Sequence, residues 1–262
     1  MSLLWQIPCV VAEYMSTLEE DILKCKLAIK NNPWDISFYH RLADILFQKG
    51  EFEEAVDVLK KILEIDANDL LAYISLGFIY GQMGRHEAAV EAFFHATDIN
   101  PTVASSYSGL GWIFLKLRYY NVSIELYNIA LQLQPNLFTA HSGLGFAYMW
   151  LSQYEEAINE FIKALMLNHR YMEAYSGLAS TYIFLGQFDN AISTYIDALD
   201  LEPLDGELRY GLGVAYLNQG NINGAWQQYS MLKCIDDSYA AKLLSFINSS
   251  DNKIECTSCN RN

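Results

Sequence analysis

The sequence is poor in basic residues. Lys and Arg number 17 against 31 Asp and Glu, which gives a formal net charge of −14 at pH 7. A nucleic-acid-binding surface needs clustered Lys and Arg to displace counterions from phosphates, and this chain has no such cluster. The composition therefore argues against a nucleic-acid-binding protein. An acidic surface favours basic partners instead.

The sequence also lacks long apolar runs and a secretion signal. No stretch approaches the ~18 consecutive apolar residues of a membrane-spanning helix. The N-terminal residues 1–14 are apolar, but they lack basic residues at their start and are interrupted by Gln6 and Pro8. We expect this segment to pack on the first helix or to dock on a partner. The five cysteines are an odd number, so we expect no disulfide framework and a reducing, cytoplasmic environment.

Residue patterns that indicate catalysis or metal binding are missing. Cys256 and Cys259 have the spacing of metal ligands, but no second pair of Cys or His lies nearby to complete a zinc site. The five histidines are scattered, and no Ser or Cys forms a nucleophile motif with any of them. We therefore predict a protein that is not an enzyme and needs no cofactor or metal.

Proline is scarce, and its positions are regular. Four of the five prolines are Pro33, Pro101, Pro135 and Pro203, with separations of 68, 34 and 68 residues. Because proline ends helices, this spacing predicts an array of helices with a period of 34 residues. The period divides the chain into six repeats, 36–69, 70–103, 104–137, 138–171, 172–205 and 206–239.

The repeats share one pattern of apolar and small residues. Leucine occupies the seventh place throughout, a small residue the eighth and a large apolar residue the eleventh, which gives a first helix with one apolar face. A turn follows, with glycine in four repeats and Arg118 or Ser152 in the other two. A second helix then carries a small residue and, four residues later, a leucine or an aromatic residue. In the second repeat these residues are Tyr73, Leu76, Gly77, Tyr80, Ala89, Phe93, Ala96 and Pro101.

This pattern resembles the tetratricopeptide repeat (TPR), written Trp-x2-Leu-Gly-x2-Tyr, then Ala-x3-Phe, then Pro. The resemblance covers residues 36–239 and implies an all-α fold, a right-handed α-solenoid superhelix of helix-turn-helix repeats. We expect an N-terminal apolar segment and a partial-repeat helix over 1–35, a capping helix over 240–248 and a disordered polar tail over 249–262.

The resemblance also implies a groove, because the first helix of each TPR lines the concave face of the array. Places 9, 12 and 13 of that helix tend to point inward, and here they are mostly apolar from the second to the fifth repeat. An exposed apolar trough suits an amphipathic helix or an extended peptide. The alternative is that curvature or the N-terminal segment buries these side chains. The candidate groove residues are Phe78, Trp112, Leu115, Phe146, Met149, Trp150, Ile183 and Phe184.

Glycine recurs two residues before the eighth place, at Gly109, Gly143, Gly177 and Gly211. Gly-Leu-Gly triplets result at Gly109, Gly143 and Gly211. They lie within helices and follow no strand, so we interpret them as packing glycines and not as phosphate-binding loops. The same glycines replace polar residues that TPR cochaperones use to hold acidic chaperone tails. The resemblance therefore disfavours a carboxylate clamp.

Together these features predict a non-catalytic scaffold or adaptor that binds a protein or peptide partner. Asp44, Glu173 and Glu207 lie toward the groove ends and would suit a partner with basic flanks. Two alternatives stay open, an assembly or targeting factor peripherally associated with a membrane, and a subunit that regulates a separate enzyme. Self-association through the groove or the terminal helices also stays open.

Overall fold

The computed structural model of the chain describes the backbone of residues 7–258 and the side chains of residues 17–249. Within that range the secondary structure is α-helical, and no strand occurs, which confirms the predicted all-α repeat fold. The helices are α1 (Ile7–Asn31), α2 (Ile36–Lys49), α3 (Phe52–Ile65), α4 (Leu70–Gln82), α5 (His86–Ile99), α6 (Ala104–Lys116), α7 (Tyr120–Leu133), α8 (Phe138–Trp150), α9 (Tyr154–Leu167), α10 (Met172–Phe184), α11 (Phe188–Leu201), α12 (Gly206–Gln219), α13 (Ile222–Leu232) and α14 (Asp237–Ser258).

The helices form two compact halves, residues 1–135 and residues 136–262. In the first half each helix from α1 to α7 packs on the next, and α4 also contacts α6. In the second half the same holds from α8 to α14, and α10 also contacts α8 and α12. First helices of neighbouring repeats therefore lie side by side within each half. The core is a row of small apolar clusters, centred on Leu46 and Phe93 in the first half and on Phe161, Leu208 and Leu243 in the second.

The predicted packing positions lie in these clusters. All six seventh-place leucines are more than nine-tenths buried, and the small residue of each second helix is fully buried. In the third repeat this small residue is Ser123, whose hydroxyl donates a hydrogen bond of 2.8 Å to the carbonyl oxygen of Gly111. The 34-residue period thus identifies the residues that hold neighbouring helices together.

Short polar residues begin three of the first helices and shape some of the turns between repeats. Asp35, Asp69 and Asp205 precede α2, α4 and α12, and each carboxylate accepts a hydrogen bond from a backbone N–H of the first turn. Asn100 and Asn168 accept a hydrogen bond from the backbone N–H two residues ahead. These Asx turns, together with Pro101, Pro135 and Pro203, explain where α5, α7, α9 and α11 end.

The two ends of the chain stand differently against the sequence-based expectation. Helix α1 begins at Ile7, and residues 1–6 of the apolar N-terminal segment lie outside the described residues. Helix α14 begins at Asp237 and packs on α12 and α13 through Leu243 and Ile247. It extends to Ser258, so the prediction of a tail that is disordered from residue 249 is wrong as far as that residue. The side chains of Cys256 and Cys259 lie outside the described range.

The turn within each repeat needs a left-handed backbone. Gly50, Gly84, Gly186 and Gly220 have φ angles between 71° and 83°, and Arg118 and Ser152 adopt the same conformation with φ of 65° and 60°. The two repeats without glycine therefore keep the turn and accept the strain that a Cβ atom causes in this region.

Replacing Arg118 with glycine should therefore stabilise the chain. The left-handed conformation costs an ordinary residue roughly 1–2 kcal/mol, and the greater unfolded-state entropy of glycine offsets part of that. We expect the free energy of unfolding to rise by about 0.5–1 kcal/mol, measured by urea denaturation. Gly84→Ala, at the matching position of the preceding repeat, is the reverse control and should lower the free energy of unfolding. A loss of stability in Arg118→Gly would contradict the strain argument.

Candidate partner-binding groove

An aromatic ring from the second helix separates neighbouring first helices. In the first half this ring is Phe93, which is fully buried. A Cβ atom on Gly77 would lie 2.7 Å from the ring, and one on Gly109 would lie 2.3 Å from it. The ring is thus held between a glycine of its own repeat and a glycine of the next. Since only a hydrogen fits at these two positions, the interpretation of Gly109 as a packing glycine is confirmed.

The second half repeats this arrangement. Phe161 is fully buried, and Cβ atoms on Gly145 and Gly177 would lie 2.8 Å and 2.3 Å from its ring. At Gly211 a Cβ atom would lie 2.4 Å from Cζ of Tyr195. The contacts bring α8 close to α10, and they determine which side chains of the first helices reach the surface.

In the first half, the ninth-place aromatic residues pack on this core and on each other. The ring of Phe78 meets Phe93 edge to face at a centroid distance of 5.1 Å and lies 6.0 Å from Trp112. One edge of Phe78 remains exposed, whereas Trp112 and Leu115 are half-buried. Trp112 covers Gly81, where a Cβ atom would lie 2.2 Å from the indole ring. The twelfth-place glycine thus provides the space that the tryptophan fills.

A pocket opens between α2 and α4. It has a volume of about 310 Å³. Asp44 lines the pocket and is exposed to solvent. Partial desolvation raises the pKa of its carboxyl above the usual value, while the charge of His40 acts in the opposite direction. The repeat pattern places Asp44 toward the end of the groove, whereas the predicted groove residues do not include Phe47, although Phe47 occupies place 12 of the first repeat. The pocket is lined by Ala43, Asp44, Phe47, Ser75, Phe78, Ile79 and Gln82.

In the second half, the most exposed aromatic side chains lie at the C-terminal ends of α8 and α10. Trp150 is 55% exposed and Phe184 is 56% exposed. The ring of Phe184 stacks on Tyr154 with a centroid distance of 6.0 Å and an interplanar angle of 13°. Phe146, one turn before Trp150, is half-buried and meets Phe161 edge to face at 4.9 Å. We call the resulting apolar surface the α8–α10 surface. It consists of Phe146 and Trp150 of α8, Phe184 of α10, and Tyr154, the first residue of α9, which stacks on Phe184.

The prediction that Met149 lines the groove is wrong. Its side chain is only 6% exposed and belongs to the cluster around Phe161. The unbranched thioether chain adapts to the space between α8 and α10, and it turns into the core. Ile183 is half-buried and packs against the cluster around Leu208. Of the eight candidates, Phe78, Trp150 and Phe184 are therefore the ones most available to a partner.

Two kinds of site are missing from the described part of the chain. Among those residues, no group of three or more His, Cys, Asp or Glu is placed to hold a metal ion. No described helix combines the length and apolar character that crossing a membrane would require.

Comparison with known families agrees with the repeat pattern. A profile described as TPR repeat matches residues 43–84, and profiles described as tetratricopeptide repeat match residues 70–103, 104–137 and 176–238. These matches together cover more than half of the 262 residues. The chain belongs to the tetratricopeptide repeat family. No curated protein sequence gives a significant match.

Solved structures confirm the fold of this tetratricopeptide repeat protein. A chain of the APC/C hetero-tetramer Cut9–Hcn1 superposes with a TM-score of 0.75 and 19% identity, over 88% of this chain and 46% of that one. This chain thus spans less than half of that relative. A tetratricopeptide repeat protein from Parabacteroides merdae superposes with a TM-score of 0.71 and 16% identity, over 92% of this chain and 96% of that one. PilW, a type IV pilus biogenesis factor, superposes with a TM-score of 0.70 and 20% identity, over 81% of this chain and 98% of that one.

Proposed function

We propose that this chain is a non-catalytic scaffold that binds an amphipathic helix or an extended peptide on the first helices of its repeats. The observation that carries the proposal is the exposure of aromatic side chains on these helices. Trp150 and Phe184 are more than half exposed in the second half, and Phe78 borders an open pocket in the first. Large exposed apolar side chains that lie close together are typical of interaction surfaces.

The chemistry of these side chains favours a protein partner. Tryptophan and phenylalanine contribute strongly to protein–protein affinity, because they bury a large area with little loss of side-chain entropy. Both α8–α10 aromatics lie next to residues held by the core, so the surface is ordered before a partner arrives. Preorganisation of this kind lowers the entropic cost of binding.

Membership of the family supports the same reading. Tetratricopeptide repeat proteins are typically protein-interaction scaffolds, and one structural neighbour of this chain is part of a hetero-tetramer. The neighbours share the fold at low identity, so the partner has to be sought through the surfaces of this chain itself. Its net charge of −14 favours a partner with basic residues beside the apolar ones.

The proposal predicts that Trp150→Ala combined with Phe184→Ala strongly weakens peptide capture. The full-length chain would be used to select peptides from a display library, and the affinities of enriched sequences would be measured by calorimetry. We expect the double variant to bind at least tenfold more weakly, as for truncated hot-spot residues. Its melting temperature should fall by less than about 4 °C, because both side chains are largely exposed.

The matched control is Met166→Ala. Met166 is 81% exposed, but it lies on α9, a second helix, outside the α8–α10 surface. We expect this variant to keep full affinity. Equal losses in Met166→Ala and in the double variant would contradict the assignment to the first helices, and failure to enrich any peptide would reject the proposed function.

A further inference from the structure

The pocket between α2 and α4 differs in chemistry from the rest of the apolar surface. Its volume of about 310 Å³ is at the lower end of the ~300–1,000 Å³ typical of ligand pockets. It therefore suits one long side chain of a partner better than a larger group. Its wall combines two phenyl rings, Phe47 and Phe78, with one carboxylate, Asp44.

Among the described side chains, none forms a salt bridge or hydrogen bond with the Asp44 carboxylate. His40, one turn earlier on α2, interacts with it electrostatically, but the His40 ring nitrogen is bonded to Asp69 at 3.2 Å. Asp44 is exposed to solvent as a residue, and its partial desolvation beside the pocket raises the pKa of its carboxyl, so the surroundings disfavour the charged form only in part. A cation placed beside the carboxylate would offset that cost.

The phenyl rings add a second attraction for a cation. Phe47 lies one turn after Asp44 on α2, and Phe78 faces the pocket from α4, where its edge-to-face contact with Phe93 holds the ring in place. A cation over an aromatic face is attracted to the ring electrons. A guanidinium also stacks on aromatic rings and gives up its hydration more readily than an ammonium does. Its methylene stem would pack against the apolar part of the pocket wall.

We propose that this pocket binds an arginine side chain of the partner peptide. The guanidinium pairs with the Asp44 carboxylate, and the stem lies between Phe47 and Phe78. The carboxamide of Gln82 lines the same pocket and offers an oxygen acceptor to the remaining N–H groups. As a step in peptide recognition, this assignment rests on the proposed function, but arginine binding itself can be tested without a partner.

The test is an NMR titration of the full-length chain with Nα-acetylarginine amide. We expect saturable shifts at the backbone amides of α4 that border the pocket, those of Ser75, Phe78 and Gln82. Nα-acetylcitrulline amide has the same shape without the charge and should bind at least tenfold more weakly. Nα-acetyllysine amide should bind with an affinity between those of the arginine and citrulline probes.

Asp44→Asn provides the decisive variant. We expect it to reduce the affinity for the arginine probe at least tenfold, to the level of the citrulline probe. The pKa of the Asp44 carboxyl is higher in the folded state than its ordinary value. Above that pKa the ionised carboxylate therefore slightly opposes folding. Removing the charge by Asp44→Asn should not lower the melting temperature. Glu91→Gln removes one charge from an exposed position on α5 and should leave arginine binding unchanged.

Two results would overturn the pocket assignment: no saturable shifts with the arginine probe, or the same affinity in Asp44→Asn as in the unaltered chain. Either result leaves the scaffold proposal intact if peptide capture still depends on Trp150 and Phe184. Conversely, arginine binding that needs Asp44, together with a chain that enriches no peptide, would keep the pocket as an arginine site and reject the scaffold function.

Discussion

Replacing Phe161 with alanine is expected to lower the free energy of unfolding by about 3–5 kcal/mol, as for other buried phenylalanines. The side chain is fully buried and lies between Gly145 of its own repeat and Gly177 of the next. Both glycines belong to helix backbones, which cannot move inward without breaking other contacts. The cavity should therefore stay largely open, which places the loss toward the upper end of the range.

Urea denaturation followed by circular dichroism measures this loss, and hydrogen exchange locates it. Because each repeat in such an array contacts mainly its neighbours, the loss of protection should be concentrated in α8, α9 and α10. Ile162→Ala is the matched control, since Ile162 is the next residue on α9 and is exposed. It should cost less than about 1 kcal/mol. A cost below about 1 kcal/mol for Phe161→Ala would show that the ring does not separate the helices as described.

Replacing Gly177 with valine is expected to destabilise the chain by about 1–3 kcal/mol or more. Its Cβ atom would lie 2.3 Å from Cζ and 2.4 Å from Cε1 of Phe161, and 3.0 Å from Cζ of Phe146. Helix propensity acts weakly in the other direction, because glycine is roughly 0.8–1 kcal/mol and valine up to about 0.7 kcal/mol less favourable than alanine within a helix. The two effects have opposite signs, so a loss of stability in urea denaturation can be assigned to the overlap with the ring.

A double-mutant cycle separates this overlap from other effects of the substitution. Phe161→Leu shortens the side chain that the valine of Gly177→Val would contact. Gly177→Val should therefore lower the free energy of unfolding less in the Phe161→Leu background than in the unaltered chain. We expect a coupling free energy of about 1 kcal/mol or more, within the ~0.5–3 kcal/mol found for residues in contact. Strictly additive effects would contradict direct contact between these two positions.

The repeat spacing predicted the fold because the same contacts recur every 34 residues. Leu110 and Ala157, for example, were assigned to the core from their places in the repeat, and both are buried. The ends of the array were less predictable. Helix α14 extends beyond the predicted end at residue 248, since a terminal helix has no following repeat whose pattern would mark its limit.

The candidate groove could be predicted only in part from the sequence. Places within a repeat indicate the direction of a side chain from the helix, but its exposure depends on the sizes of its neighbours. Trp112 is half-buried because Gly81 leaves room for the indole, and Met149 is buried because it bends into the core. Trp150 and Phe184 lie at the last residue of their helices, where fewer neighbours cover them. The sequence indicated Asp44 as an acid at the groove end, but only the structure shows that it lines one pocket with Phe47 and Phe78.

The indole of Trp112 above Gly81 has a consequence for how a ligand is aligned in the first half of the molecule. Between α2 and α4 the corresponding space is open, whereas between α4 and α6 the tryptophan fills it. A peptide lying across these helices would thus meet an open pocket between α2 and α4, and the indole of Trp112 between α4 and α6. Such an alternation selects one register of the peptide, because a shift by one helix would press its inserting side chain against the indole.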